Sequence, residues 1–322
     1  MVKITIGKNE ENQRLDRFLR KYFKSASLSY VYKLIRKDVK VNGKRAKEET
    51  MLELGDELVI YISPEEAERY SARKETVKGK KQFKVLYEDE NILAAEKPFG
   101  LLTHGDRNEK KNHLANQVLS YLIEEGKYDP RVERTFTPAP ANRLDRNTTG
   151  LVLFGKNSEA LRQLNHMIRE KGYVSKYYMT IVKGIVKEPL YLKDKMEKDH
   201  DENVVKVMDL SEDGGKVMET VARPLAAAHG YTLLEVELVT GRTHQIRAHL
   251  AAAGYPIIGD AKYGNQQFNR MIEKKFGLTT QFLHAYRLHF EKGSGILEYL
   301  EGKEIISDLP DNLKRIKEEI FD

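Results

Sequence analysis

The stretch NRLDRNTTG, residues 142–150, places one carboxylate, Asp145, between two cations, Arg143 and Arg146. It follows the turn-rich run FTPAPA and precedes the apolar run LVLF, which indicates a turn before a strand. A carboxylate held among cations stays ionised and can act as a nucleophile or as a general base. The same residues also fit a salt-bridged turn, and the local sequence leaves both interpretations open.

A second polar group lies at the start of a predicted helix that Thr243 is placed to cap. Its members fall within eight residues: Arg242, His244, Arg247 and His249. Cations at a helix N-terminus can bind an anion, but an ordinary basic surface needs no ligand, and the local pattern fits both. Tyr178, in KYYMTIV, lies in a predicted strand, where aromatic residues usually pack in a core.

Other kinds of site lack their sequence signatures. The chain has no cysteine, which excludes disulfides, thiolate zinc sites and cysteine nucleophiles. The pairs His244/His249 and His284/His289 are spaced i, i+5, which on a helix points them about 140° apart rather than at one metal. No G-x-x-x-x-G-K-[ST], G-x-G-x-x-G or serine nucleophile elbow occurs. We therefore expect chemistry without a metal, a cofactor or a nucleotide.

Length and composition fit a charged protein of two domains. The 322 residues include 55 Lys and Arg against 49 Asp and Glu, a net charge of +6 that is compatible with a polyanionic partner. No apolar run approaches the roughly 18 residues of a membrane span, and the N-terminus lacks the apolar stretch of a signal peptide. Together with the missing cysteines, these features predict a cytoplasmic protein, which we expect to be a monomer.

Two predicted helices near the N-terminus carry cations on their outer faces. The inward positions are Leu15, Phe18, Leu19 and Tyr22 in the first and Leu28, Val31, Tyr32 and Ile35 in the second. Ser27 or Ser29 is placed to cap the second helix. The outward positions are Arg17, Arg20, Lys21, Lys24, Lys33, Arg36, Lys37 and Lys40. A solvated surface does not require such uniform charge, whereas a phosphate backbone rewards it through counterion release, so we predict RNA or DNA binding.

The rest of this region completes a recognisable order of elements. Asn42-Gly43 predicts a tight hairpin with Lys44 at its tip, and a strand follows the Gly55-Asp56 turn. Over residues 14–62 this order resembles the alpha-L RNA-binding domain, which implies that the Lys33 to Lys40 face and the hairpin touch structured RNA. We divide the chain into an alpha-L domain (1–62), a charged linker (63–81) and a catalytic domain with a C-terminal helix (82–322).

Beyond the linker, predicted strands and helices mix without regular alternation. This pattern indicates an α+β fold with a largely antiparallel mixed sheet. The predicted strands lie in FKVLYEDENILAAEK, LVLFGK, KYYMTIVKG, YTLLEVELV and FLHAYRLHF. The predicted helices lie in HLANQVLSYLIEE, SEALRQLNHMIREKG (ended by Gly172), the run after TGRTH, and DLPDNLKRIKEEIF. Residues 187–216 form a charged excursion to which we assign no element.

Five runs of this domain, in order, resemble motifs of the RluA family of pseudouridine synthases. They are KPFGLLTH, NRLDRNTTG, KYYMTIV, GRTHQIRAHL and YPIIGDAKYG. The resemblance spans about residues 83 to 290, and the attached alpha-L domain is similar to that of the branch acting on large-subunit ribosomal RNA. It implies an enzyme that isomerises uridine to pseudouridine in RNA, without cofactor or metal.

The resemblance also implies roles for individual residues. Asp145 falls on the catalytic aspartate, Tyr178 on the tyrosine that stacks on the target base, and Arg247 on the arginine that pairs with the catalytic carboxylate. The chain departs from the family pattern at Asn142, where histidine is usual, and at Thr149, where serine is common. These departures concern the subgroup and the substrate rather than the activity.

The remaining polar residues are expected to contact RNA. Arg143 corresponds to the arginine that helps displace the target base, and we expect Arg146, Arg242 and His244 to contact RNA, Arg146 at phosphate. The sequence does not decide whether Asp145 attacks C1′ as a nucleophile or takes a proton from C2′ as a base. Two other functions stay open at this point: the same chemistry on transfer RNA, and a non-catalytic RNA-binding factor for ribosome assembly.

Overall fold

The computed structural model describes residues 1–71, 80–199 and 204–322. The first range is an N-terminal domain built on a four-stranded sheet in the order β1-β6-β3-β4, with β2 pairing β5. Its strands are β1 Val2–Thr5, β2 Gln13–Arg14, β3 Val39–Val41, β4 Lys44–Arg45, β5 Met51–Leu52 and β6 Glu57–Ile60. Its helices are α1 Leu15–Tyr22, α2 Leu28–Asp38 and α3 Pro64–Ser71.

Local sequence explains most of this domain. The Ser27 hydroxyl accepts a hydrogen bond from the Tyr30 N–H and caps α2. Asn42 and Gly43 both have positive φ, 50° and 75°, as the two-residue turn between β3 and β4 requires. The apolar faces of α1 and α2 meet the sheet in one core that includes Leu15, Phe18, Leu19, Val31, Leu34 and Ile35.

Three expectations for this region are wrong. Leu28 is 49% exposed, and Leu34 is buried instead, because the inward stripe of α2 begins at Val31. Lys40 lies in β3 rather than on α2, with its Nζ 5.4 Å from the centre of the Tyr61 ring. Residues 64–71 of the expected linker form helix α3, whose Ala67 enters the N-terminal core. Residues 72–79 lie outside the described ranges.

The remaining residues form a domain around an eleven-stranded sheet. Its main path runs β13-β12-β14-β15-β11-β16-β10-β8-β7, with β17 on β16 and β9 on β10. The strands are β7 Lys84–Glu88, β8 Ile92–Lys97, β9 Ala139–Pro140, β10 Thr149–Gly155, β11 Val174–Lys183, β12 Leu190–Asp199, β13 Val204–Met208, β14 Lys216–Ala228, β15 Tyr231–Leu238, β16 Leu283–Phe290 and β17 Glu304–Ile306. The helices are α4 Leu114–Glu124, α5 Ser158–Arg169, α6 Gln245–Ala252, α7 Gln266–Phe276 and α8 Asp311–Phe321, with a 3₁₀ helix at Gly295–Leu300.

The pairing confirms the predicted α+β fold with a largely antiparallel sheet. Among the described residues, the strand pairs of this sheet are antiparallel except β10 with β16, which run parallel through Thr149 opposite His284 and Gly150 opposite Ala285. Gly150 has φ +108°, and a Cβ there would lie 2.1 Å from the Ala285 carbonyl oxygen. Only glycine therefore permits the close approach of these two strands.

Helices cover both faces of the sheet. One face packs on α4, α6, α7 and α8, and the other on α5 and the 3₁₀ helix. Strand β10 is buried throughout: Val152 and Phe154 enter the first core, and Leu151 and Leu153 the second. None of the helices in the described ranges combines the length and apolar composition that a membrane span needs.

Other elements of this domain depart from the sequence prediction. The charged excursion at 187–216 contains the hairpin strands β12 and β13, and α7 is a helix that we did not predict. Helix α5 ends at Arg169, before the predicted stop at Gly172. The two domains touch at Asn9, whose Nδ2 donates to Glu133 Oε1 at 2.8 Å and whose Oδ1 accepts from the Ser158 N–H at 2.9 Å.

Candidate active site

Asp145 lies in the loop between β9 and β10, and that loop is fixed on both sides of the carboxylate. The Lys97 ammonium, at the end of β8 and fully buried, donates to the carbonyls of Arg146 at 2.9 Å, Leu101 at 2.7 Å and Pro98 at 3.1 Å. The Thr103 hydroxyl donates to the Leu144 carbonyl at 3.0 Å and accepts from the Leu144 N–H at 3.1 Å. The backbone around Asp145 therefore has little freedom, and its side chain remains 27% exposed.

Helix α6 brings Arg247 to this carboxylate. Its Nη1 donates to Asp145 Oδ2 at 3.0 Å, and its side chain is only 6% exposed. A guanidinium that is largely removed from water interacts more strongly with a carboxylate than a solvated one does. The structure thus places together the two charged residues that the family resemblance paired.

Asp260 holds Arg247 from the other side, and the sequence analysis did not single it out. Arg247 Nε donates to Asp260 Oδ2 at 2.7 Å and Nη2 to Oδ1 at 2.8 Å, a bidentate pair with both side chains buried. Asp260 Oδ1 also accepts the N–H groups of Lys262 and Tyr263. The only available signal was its place in YPIIGDAKYG, one of the runs that resemble the family.

The pKa values follow from these contacts. Burial alone would raise the pKa of Asp260, but the hydrogen bonds and charge of Arg247 and the two backbone N–H groups hold it below its usual value. Burial likewise opposes the charge on Arg247, and the hydrogen bonds and charges of Asp260 and Asp145 raise its pKa above the ordinary value. Both members of the buried pair are therefore ionised.

His244, one of the expected RNA contacts, is a nearly buried neighbour of Asp145. Its side chain is 9% exposed, and its Nε2 lies 3.8 Å from Asp145 Oδ2. The Tyr263 hydroxyl accepts from the Val205 N–H at 2.7 Å and lies 3.0 Å from His244 Nδ1. When the Tyr263 hydroxyl donates its proton to Nδ1, the histidine carries its own proton on Nε2, toward Asp145. Burial lowers the pKa of His244, against the opposing effect of Asp145.

The start of α6 differs from the expected cap. His244 occupies the position before the helix with φ 51°, and no side-chain cap bond is made there, so Thr243 does not cap the helix. The Gln245 Oε1 accepts from the Arg242 N–H at 3.1 Å, which ties the preceding loop to the first residue of the helix. His249, further along α6, is buried with its Nδ1 2.8 Å from the Thr220 hydroxyl.

Tyr178 is buried, 6% exposed, in β11. A register shift between Tyr177 and Tyr178 interrupts the pairing of β11 with β16 at this point. Burial raises the pKa of Tyr178, and the nearby charge of Asp145 raises it further, so the ring is neutral. An aromatic ring fixed in a strand near a carboxylate is suited to packing against a planar base.

The other candidate residues lie outside this cluster. Arg143, Arg146 and Arg242 are exposed; Arg146 pairs with Asp106 at 3.5 Å, and Arg242 Nε donates to the Val217 carbonyl. The predicted RNA contacts of the N-terminal domain are also exposed except for half-buried Lys40: Arg17, Lys21, Lys33, Arg36, Lys37, Lys40 and Lys44.

The two departures from the family pattern have structural roles. The Asn142 amide donates to the Leu151 carbonyl at 3.1 Å and accepts from the Leu153 N–H at 2.8 Å, which ties the Asp145 loop to β10. The Thr149 hydroxyl lies 2.7 Å from Nδ1 of buried His284. The described residues contain no group of three His, Asp or Glu side chains arranged to hold a metal ion.

Known proteins resemble this chain in sequence and in fold. Residues 91–252 match the family model for RNA pseudouridylate synthases, and residues 13–58 match that for the S4 domain. The ribosomal large subunit pseudouridine synthase C of Escherichia coli is 36% identical over 92% of this chain and 91% of its own length. The enzyme of the same name from Pasteurella multocida is 34% identical over 89% of this chain and 85% of its own.

Two solved human structures share the fold. The protein named RNA pseudouridylate synthase domain containing 4 has a TM-score of 0.56 at 21% identity, and the match covers 72% of this chain and 92% of its own. The human protein named RNA pseudouridylate synthase domain containing 1 has a TM-score of 0.52 at 17% identity, and the match covers 77% of this chain and 96% of its own.

Proposed function

The chain belongs to the RNA pseudouridylate synthase family, and we propose that it isomerises specific uridines of large-subunit ribosomal RNA, with Asp145 as the catalytic carboxylate. The contact between Asp145 Oδ2 and Arg247 Nη1, 3.0 Å long and backed by Asp260, carries the assignment of the site. Two relatives are named ribosomal large subunit pseudouridine synthase C, and each is similar to this chain over most of its length. Their names support the choice of large-subunit ribosomal RNA as the substrate.

The reaction rearranges one nucleotide and adds nothing to it. The bond from uracil N1 to C1′ breaks, the freed base turns, C5 bonds to C1′, and the C5 proton leaves while N1 gains one. Asp145 can start this as a nucleophile at C1′ or as a base at C2′, and both routes need an ionised carboxylate. Arg247 Nη1 lies 3.0 Å and His244 Nε2 lies 3.8 Å from Asp145 Oδ2, so both side chains orient this carboxylate.

Arg247 serves this purpose because Asp260 controls its position. A guanidinium bound to Asp145 alone would be free to turn, whereas two hydrogen bonds to Asp260 fix its plane. The Asp260 charge also offsets that of Arg247, so Asp145 is oriented by a cation that is already paired. This leaves Asp145 reactive toward the sugar.

The target uridine has to leave its stack to reach Asp145, at a cost of a few kcal/mol. We assign Tyr178 to pack against the extruded uracil and Arg143 to help displace it. Arg146 and Arg242, both exposed, are placed to bind phosphate. We assign the expected RNA contact of His244 to the target nucleotide, because the histidine lies beside Asp145.

The N-terminal domain supplies binding rather than chemistry in this proposal. The exposed cations of α2, Lys33, Arg36 and Lys37, form a basic face, and Lys44 follows the Asn42-Gly43 turn. Such a face gains affinity by releasing counterions from RNA. We also propose that the enzyme acts as a monomer in the cytoplasm, since one chain supplies the whole cluster and the chain has no cysteine.

The target is tested by mapping pseudouridine in ribosomal and transfer RNA from cells with and without the gene. The proposal predicts that particular pseudouridines of large-subunit ribosomal RNA disappear and that expression of the wild-type chain restores them. Loss confined to transfer RNA would contradict the choice of substrate. Unchanged modification in both RNAs would favour a non-catalytic role in ribosome assembly.

A further inference from the structure

A rigid turn projects beside the catalytic loop. Lys97 ties the carbonyls of Pro98, Leu101 and Arg146 together, and Thr103 holds Leu144. Residues 97–103 are thereby fixed to the backbone on each side of Asp145. Whatever side chain stands on this turn keeps a constant position relative to the carboxylate.

That side chain is Phe99, and it is 51% exposed. It lines a pocket together with the exposed Arg146, the residue directly after Asp145. The Arg146 ion pair with Asp106 is long, 3.5 Å, and its side chains are 50% and 44% exposed, so a phosphate can replace Asp106 at little cost. An aromatic face and an adjacent available cation are the two elements with which proteins bind single-stranded nucleic acid.

Polar groups with hydrogen-bonding capacity complete the pocket. Gln82 and Asn112 line it, and their side-chain carbonyls accept from Gln117 Nε2, which orients both amides. Within the described ranges, their NH₂ groups donate no hydrogen bond. Glu109 also lines the pocket; its Oε1 accepts two backbone N–H groups, and its Oε2 has no hydrogen bond there. Two oriented donors and one acceptor can read the edge of a base.

We propose that this pocket binds the base of a nucleotide next to the target uridine: Phe99 stacks on that base, Arg146 binds its phosphate, and Gln82, Asn112 and Glu109 contact its edge. The proposal rests on the RNA-modifying function above and adds a determinant of which uridines are chosen. The occupant is single-stranded RNA, because a paired base would not present both its face and its edge.

Stacking is tested by fluorescence, since the chain has no tryptophan and Phe99→Trp creates a single reporter. The matched control is Tyr299→Trp, at a residue 50% exposed whose hydroxyl contacts Asp89 in an acidic turn. Each variant is titrated with large-subunit ribosomal RNA transcribed in vitro. We expect saturable quenching for Phe99→Trp and little for Tyr299→Trp. Absent quenching at position 99, or equal quenching at both positions, would overturn the proposal.

Kinetics separate this subsite from the catalytic proposal. With 5-tritiated uridine in the same RNA, Phe99→Ala should raise KM about 5- to 150-fold, the usual effect of losing one base stack, with kcat unchanged and with Phe99→Tyr near wild type. Tyr299→Ala should match wild type. If wild type and Phe99→Ala release tritium with the same KM, the subsite is wrong and the synthase proposal stands. If wild type releases none, the synthase proposal fails, and the quenching experiment still decides the subsite.

Discussion

Replacing Asp260 by asparagine tests the idea that a buried carboxylate positions Arg247. The substitution keeps the size of the side chain but removes its charge and one of the two acceptors for the guanidinium, at a site where both side chains are nearly fully buried. Removing one partner of a buried ion pair typically costs about 3–5 kcal/mol. For a domain of this size that corresponds to a fall in Tm of roughly 6–20 °C.

Activity should fall as well, because Arg247 would lose its fixed plane. We expect kcat in tritium release to drop about 100-fold, the effect of a small misplacement of a catalytic group. The assay is run well below the lowered Tm, so that only folded enzyme is compared. The control is Glu304→Gln, which breaks a half-exposed pair with Arg287 and should cost about 0–1 kcal/mol with kcat unchanged.

The loss of stability should depend on pH in a defined direction. Because the pKa of Asp260 is held below its usual value, its contribution to folding is complete above pH ~4 and is lost as pH falls through the lower pKa of the folded state. The difference in unfolding free energy between wild type and Asp260→Asn should therefore narrow below pH ~4. A variant with kcat within twofold of wild type and less than 1 kcal/mol of destabilisation would refute the positioning role.

Three further predictions concern the same architecture. Burial lowers the pKa of His244, so below pH ~6.5 the unfolded chain binds more protons at this residue than the folded chain does, and wild type loses unfolding free energy on acidification. His244→Gln should lessen that loss. Parallel curves of unfolding free energy against pH for the two proteins, measured by urea unfolding, would contradict this. Gly150→Ala should destabilise by roughly 2–6 kcal/mol through strain and the clash with Ala285, whereas Gly126→Ala, with positive φ but open space, should cost less; equal thermal shifts would argue against the clash. Changing the three exposed cations of α2, Lys33, Arg36 and Lys37, to glutamine should weaken RNA binding and reduce the slope of log K against log salt concentration by about 2–3, with kcat unchanged. An unaltered slope would mean that RNA binds elsewhere on the protein.

Elements with strong local signals were predictable from the sequence. The inward positions Leu15, Phe18 and Leu19 of α1 are buried as its 3.6-residue period predicts, Tyr22 is half-buried, and Asn42-Gly43 forms the hairpin turn. Strand β10 followed from its apolar run, and the antiparallel sheet followed from irregular mixing of strands and helices. For α1, the hairpin turn and β10 the information lies within about ten residues, where propensity and periodicity act, whereas the sheet class follows from the order of the elements.

Other features depend on partners that are distant in sequence. Strand β12 carries charges along much of its length, and it is a strand because β14 and β13 supply backbone partners on both sides. Asp260 has no local pattern that marks it, because its role arises only when α6 brings Arg247 beside it. Likewise the position of His244 depends on Tyr263, whose hydroxyl is held by the Val205 N–H of β13. This strand lies in residues 187–216, a region to which the sequence assigned no element.

The most direct test of the central claim is release of tritium from RNA carrying 5-tritiated uridine, compared between wild type and Asp145→Asn. The asparagine fills the same space and can still accept a hydrogen bond from Arg247, so matching melting curves would establish that the fold is kept. We predict turnover by wild type and none above background by Asp145→Asn. Equal release from both proteins would contradict the assignment of Asp145 as the catalytic residue.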